Sequence, residues 1–372
     1  MRIIKFMSFA ALGLVGAALI AVKLIYGGGQ PHPDVSTAPL RDDLEVAIEL
    51  PFPPGMVAAG PNGEIFYTYH PFHAPQDHTD ALLFGWEDGR SIPIGEGLGE
   101  RLHGVFGITV DTRGWVWAVR PWAMEGRPTE VLAIDQTSGT IEFEFEFPDG
   151  MGGFAQDLRV SDDLRYVYLA DTGLLRFTSA SLIVLDTEAR TARSVLVDHD
   201  STAPQNWVMR RTDGSPYRLG YGLVTFQVGV DGLEITEDGE WLIYATMTHD
   251  SVYRVPTRLL NDPAITAEVL EASVELIGPG PMSDGIALDA DGAVILTDVE
   301  NGGLMRLSDG RLETLVRDGA VDWADSVTVA PNGDIWFTDS ALTLLLDHFG
   351  NPPSREDIEA AAPYAIYRLP SR

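Results

Sequence analysis

Four acids recur at one position of a repeated sequence pattern, and they are the residues best placed to do chemistry. Asp157, Asp231, Asp284 and Asp325 each stand just before a run of alternating apolar residues, in AQDLRV, VDGLEI, SDGIAL and ADSVTV. If these runs are equivalent strands around one axis, their carboxyls converge on it. Four carboxylates around a channel repel unless a cation, protonation or hydrogen bonds relieve them. A hard cation with oxygen ligands suits such a ring, and Ca2+ accepts irregular geometry more readily than Mg2+. On this reading Asp231 and Asp284 are metal ligands for Ca2+ or another divalent cation. Asp157 and Asp325 are then catalytic, as an added ligand or as the base that activates water. The alternative is structural: an Asp at a strand start accepts backbone N–H bonds and shapes the turn.

A second group of candidates would bind ligand. YHPFHAPQDHTD at 69–80 holds His70, His73 and His78, three of eight histidines, at spacings that match no zinc pattern. As a rim loop it offers His70 and His73 as hydrogen-bonding or titrating groups. Phe106, Arg120 and Trp122 surround the second copy of the repeat, and Trp207 lies in a long insertion at 199–222. An Arg could hold an anionic or carbonyl-bearing ligand, and a Trp could stack on a ring or cation. Each of these also fits a plain solvated or half-buried role. No G-x-S-x-G elbow, phosphate loop, H-E-x-x-H or dinucleotide fingerprint is present. A small-molecule ligand and no organic cofactor are therefore expected.

The elements that must position these residues are hairpins. The pattern occurs six times, at 53–69, 104–120, 155–172, 230–247, 283–299 and 324–340. Each copy is a short alternating strand, a turn such as PNG or DADG, and a second strand rich in β-branched and aromatic residues. Further strand-like pieces lie between copies, giving about four strands per unit, the content of one propeller blade. The expected fold is all-β, a six-bladed β-propeller over residues 44–372. LEVAIELPF at 44–52 and AIYRLP at 365–370 are expected to pair and close the ring, leaving no open sheet edge. After the leader, only EDIEAAA near 356–362 reads as helical.

Composition narrows the function classes. With 55 acidic and 25 basic side chains, a formal net charge of −30, the chain lacks the basic footprint that nucleic-acid binding needs. Zero cysteines remove disulfides, thiolate metal sites and Cys nucleophiles. Residues 1–30 differ from the rest: Arg2 and Lys5, an apolar run from Phe6 to Val22, then Lys23 and a Gly cluster. This reads as an export signal or an N-terminal membrane anchor, followed by a linker at 31–43. The globular part is expected outside the cytoplasm, secreted or periplasmic, touching a membrane only through that segment. A monomer is expected.

GVFGITVDTRGWVWAV, VGVDGLEITEDGEWLIYA, SDGIALDADGAVILTDVENGGLMRL and WADSVTVAPNGDIWFTDS together resemble the major royal jelly protein/Yellow family, whose bacterial members are often described as dopachrome-tautomerase-related. The resemblance spans most of 44–370. It implies a secreted six-bladed propeller with a ligand pocket at its central mouth, structurally similar to the SMP-30/gluconolactonase/luciferin-regenerating group. That group hydrolyses lactones with a divalent metal, whereas insect family members include binders of small amines. VDGL at Asp231 and SDGIALD at Asp284 are similar to the gluconolactonases' Asn-Gly and Asp-Gly segments. Two departures stand out. PPGM occupies the start of the first blade, where those enzymes carry a metal-binding Glu, and FAQD replaces their Arg-x-Asn-Asp, leaving Gln156 in the Asn position as a ligand contact. The implied activities are a metal-dependent lactone or ester hydrolase, less readily a tautomerase, and, as the alternative, a non-catalytic binder of an aromatic or amine.

Overall fold

A computed structural model of the chain describes residues 2–95, 97–121, 126–347 and 353–372. Six four-stranded antiparallel sheets make up the body. Blade 1 runs Pro54–Ala59, Ile65–Tyr69, Leu83–Glu87 and Arg90–Pro93, from the axis outward. Blade 2 begins at Gly107–Val110, blade 3 at Ala155–Val160, blade 4 at Val230–Ile235 and blade 5 at Ile286–Leu288. Blade 6 takes its three inner strands, Ala324–Val329, Ile335–Asp339 and Tyr364–Leu369, from the end of the chain. Its outermost strand is Glu45–Leu50, from the beginning. The expected closure is observed, with Val46 opposite Tyr367 and Leu50 opposite Tyr364.

The inner strands form where the repeat predicts because alternation places one apolar set against the neighbouring blade. Leu158, Leu233 and Val327 are all buried between blades. Neighbouring inner strands approach so closely that three positions exclude a side chain. A Cβ on Gly107 would stand 2.5 Å from Gln156 O, one on Gly232 2.8 Å from Ile286 N, and one on Gly285 2.7 Å from Asp325 O. The Gly of the repeated Asp-Gly pair is thus needed for blade contact, while the Asp faces the axis.

Among the described residues four short α-helices follow the leader, where the sequence suggested one: Thr257–Leu260, Ala267–Glu271, Leu342–Asp347 and Arg355–Ala361. Helices of four to six residues are too short to display a 3.6-residue period, so three of them escaped the pattern. Residues 31–43, read as a linker, run fastened to the propeller. Pro31 pairs in parallel with Val208, and Leu40 and Arg41 donate backbone N–H bonds to Thr314 and Leu315. The leader is a helix, Arg2–Tyr26, whose described side chains begin at Leu14. Among the described residues no helix is long and apolar enough to cross a membrane.

Candidate functional site

The starts of the inner strands gather at one end of the axis, and the site is built there in two tiers. The outer tier is a funnel of about 830 Å3. Phe72, Phe154, Leu174, Leu175, Phe226, Met247 and the Leu342–Asp347 helix make its wall largely apolar. Its floor carries His70, Gln156, Asp284 and Asp325. Beneath them lies the inner tier, an axial cavity of about 20 Å3 that adds Phe106, Asp157 and Asp231. That volume holds about one water molecule.

All four repeat acids are brought together, and all four are buried. Their charges are relieved unequally. Asp157 is spoken for: its Oδ1 accepts from Leu158 N at 2.8 Å and from Arg159 Nη1 at 2.7 Å, and its Oδ2 from Leu233 N at 3.2 Å. Asp284 Oδ2 accepts a 2.6 Å bond from Trp323 Nε1. Asp231 and Asp284 share the axial cavity. Burial, reinforced by the charges of Asp284, Asp325 and Asp157, pushes Asp231 well above the usual carboxylate range. Its Oδ2 is buried without a hydrogen-bond partner. Burial also raises Asp325, and the charge of Asp284 reinforces it.

His70 follows the second strand of blade 1 and reaches the same floor. Phe72 N donates to His70 Nδ1 at 3.2 Å, which leaves the ring proton on Nε2. Nε2 lies 3.9 Å from Asp325 Oδ2, too long for a direct bond and short enough for one shared partner. Burial holds the imidazole neutral, its pKa lowered to about 3.

A divalent cation would need several of these donors at once. Asp157 already accepts from Arg159 and two backbone N–H groups, Asp284 accepts from Trp323, and Gly55 and Met56 stand at the first-blade position. Among the described residues no group of three or more His, Asp or Glu side chains is arranged to hold a metal ion. Asp231 and Asp284, expected as ligands, line the cavity together. Hydrogen bonds to Asp157 and Asp284 relieve part of the ring's charge.

A sequence model of the major royal jelly protein family matches residues 104–312, more than half of the chain. The chain belongs to that family. No curated protein matches its sequence. Among solved structures, a gluconolactonase from Xanthomonas campestris superposes with a TM-score of 0.54 at 12% identity, covering 92% of this chain and 94% of that one. A luciferin-regenerating enzyme gives 0.53 at 12% identity, covering 88% and 95%. A streptogramin B lyase gives 0.50 at 13% identity, covering 87% and 96%. At these identities the likeness is one of fold.

In this member of the major royal jelly protein family, four of the proposed ligand contacts lie elsewhere or outside the described residues. His73 does not face the funnel. It is fully buried under its loop, clustered with Phe52 and His78 with ring centroids at 5.9 and 6.1 Å. Arg120 is buried too, donating to Glu130 Oε2 at 2.5 Å and Glu100 O at 3.1 Å, because its strand points it between loops of blade 2. Trp207 packs edge-on to His32, where the N-terminal segment is fastened, and its indole N–H donates to Gln205. Trp122 lies outside the described residues. Phe106, by contrast, lines the axial cavity and packs edge-on against both His70 and Phe72.

Trp323 was missed. It is buried, two residues before Asp325, and links the floor to the insertion through a tilted contact with Tyr217 at 5.6 Å, with Phe226 edge-on at 6.0 Å. A Trp two residues upstream of a repeat acid was the available signal.

Proposed function

We propose that this protein binds a small, largely apolar and preferably aromatic molecule whose polar end carries an amine. The observation that supports the reading is the funnel itself: an apolar wall around about 830 Å3, converging on His70, Asp284 and Asp325 at the floor. Ligand sites of this size pair a hydrophobic lining with a few placed polar groups. An ammonium at the floor would stabilise ionised Asp325, offsetting the burial that now raises it, and binding at neutral pH would release a proton. Neutral His70 would offer its Nε2–H to a second polar atom on the ligand.

Calorimetry of a phenylalkylamine and the matching alcohol tests this, run in buffers of differing ionisation enthalpy. The amine should bind more tightly and release protons, and Asp325→Asn should erase the difference. Equal affinity for amine and alcohol in the wild-type protein would sink the cationic-ligand reading. The metal-dependent lactonase implied by the family's structural likeness needs cation donors that are engaged here. Lactone turnover that is lost with a chelator and restored by Ca2+ would revive it.

A further inference from the structure

The leader helix ends at the mouth of the funnel. Lys23 Nζ donates to Gly222 O, and Thr225 Oγ1 donates to Gly28 O at 2.7 Å, fixing the helix end to the 199–222 insertion and the strand just after it. The Tyr26 ring packs on Phe177 with centroids 4.5 Å apart. Phe177 belongs to the blade 3 loop whose Leu174, Leu175 and Thr178 line the funnel. Helix, insertion and mouth therefore share one rim.

That rim is unlike the rest of the surface. Leu24 on the helix is 77% exposed, Ile20 62% and Phe177 47%, and Tyr221 projects fully into solvent. Lys23, Arg176 and Arg218 stand among them, on a chain whose net charge is −30. The nearby acids are drawn into local bonds, Asp198 with Ser179 and Asp213 with Ser215 N. Exposed aliphatics on a helix, aromatic side chains at its end and basic side chains beside them are the chemistry of a bilayer interface with anionic headgroups.

We propose that this rim docks on an anionic lipid bilayer and holds the mouth of the funnel against the membrane. The contact needs the helix and rim to enter the interface, not to span it. Apolar ligands concentrated in the bilayer would then meet the funnel without crossing water. The proposal stands independently of which ligand the funnel takes.

The absence of cysteine makes the test clean. Full-length Phe177→Cys, Tyr221→Cys and Asp291→Cys variants each carry one environment-sensitive label, Asp291 lying in the blade 5 hairpin turn at the opposite end of the axis. They are mixed with vesicles of phosphatidylcholine alone, or with phosphatidylglycerol added, containing nitroxide-bearing lipid. Labels at 177 and 221 should be quenched several-fold more than the label at 291, and more strongly with phosphatidylglycerol. Arg176→Glu/Arg218→Glu should weaken that quenching. Labels at 177 and 221 that are quenched no more than the one at 291 overturn the proposal, as does quenching indifferent to both anionic lipid and charge reversal.

Discussion

Arg159 donates from Nη1 to Asp157 Oδ1 at 2.7 Å, and so one inner strand cancels one of the four axial charges within itself. The same guanidinium bonds Glu234 of blade 4 at 3.0 Å and faces Ile286 O of blade 5 at 3.4 Å. A single half-buried cation thereby joins three blades. Replacing Arg159 by Met should cost about 3–5 kcal/mol, because it strands Asp157 and Glu234 without a counter-charge. Urea denaturation measures it, and a loss under about 1 kcal/mol would mean the ion pair is dispensable.

Asp231→Asn should leave stability unchanged or raise it at neutral pH. Burial and the neighbouring carboxylates already disfavour the charge that the substitution removes. A buried acid with a raised pKa keeps its proton in the native state and loses it on unfolding, so wild-type stability falls as pH rises above the unfolded value. The advantage of Asn should therefore widen as pH rises above the unfolded value of 3.8, read as the difference in Tm. Were a cation held at this position, the same substitution would instead abolish its binding.

Asp298 gives a second pH signature away from the site. Burial raises it from 3.8 to about 6, against the lowering effect of its bonds from Asn301 Nδ2. Its contribution favours the native state at low pH and is lost as pH climbs from about 4 to 6, by up to about 3 kcal/mol. Thermal unfolding across that window should show a shallower fall for Asp298→Asn than for wild type. Parallel curves would mean that Asp298 is ionised throughout.

Gly285→Ala should be severely destabilising, on the order of 2–4 kcal/mol. The added Cβ meets the backbone of blade 6 rather than a movable side chain. Gly292, in the turn of the same hairpin, has open space around a Cβ but a φ of 76°, so alanine there tests backbone strain alone. If the two variants unfold at the same denaturant concentration, the close blade approach is not what the glycine serves.

The fold was readable because a propeller writes its plan six times. Each inner hairpin carries alternation, a turn and a β-branched second strand, and the closing pair at 44–52 and 365–370 had two matching strand patterns left over. The convergence of Asp157, Asp231, Asp284 and Asp325 followed from that equivalence alone. What each acid then does was not readable, since it depends on partners remote in sequence. Arg159 looks like any alternating strand residue until Glu234 is beside it, and Trp323 is an ordinary Trp until its indole meets Asp284. His73 and Arg120 failed as ligand contacts for a related reason. The sequence places them after the right strands, but the direction in which a loop turns its side chain is set by packing against Phe52 and Glu130.

The blade 6 sheet has a consequence for synthesis. Glu45–Leu50 leaves the ribosome more than 300 residues ahead of its partner Tyr364–Leu369. It must wait, unpaired and partly apolar, until that partner is made. Ring closure is thus a late, long-range event, slow by its topology, and the interval before it is when this chain is most open to strand pairing with another copy.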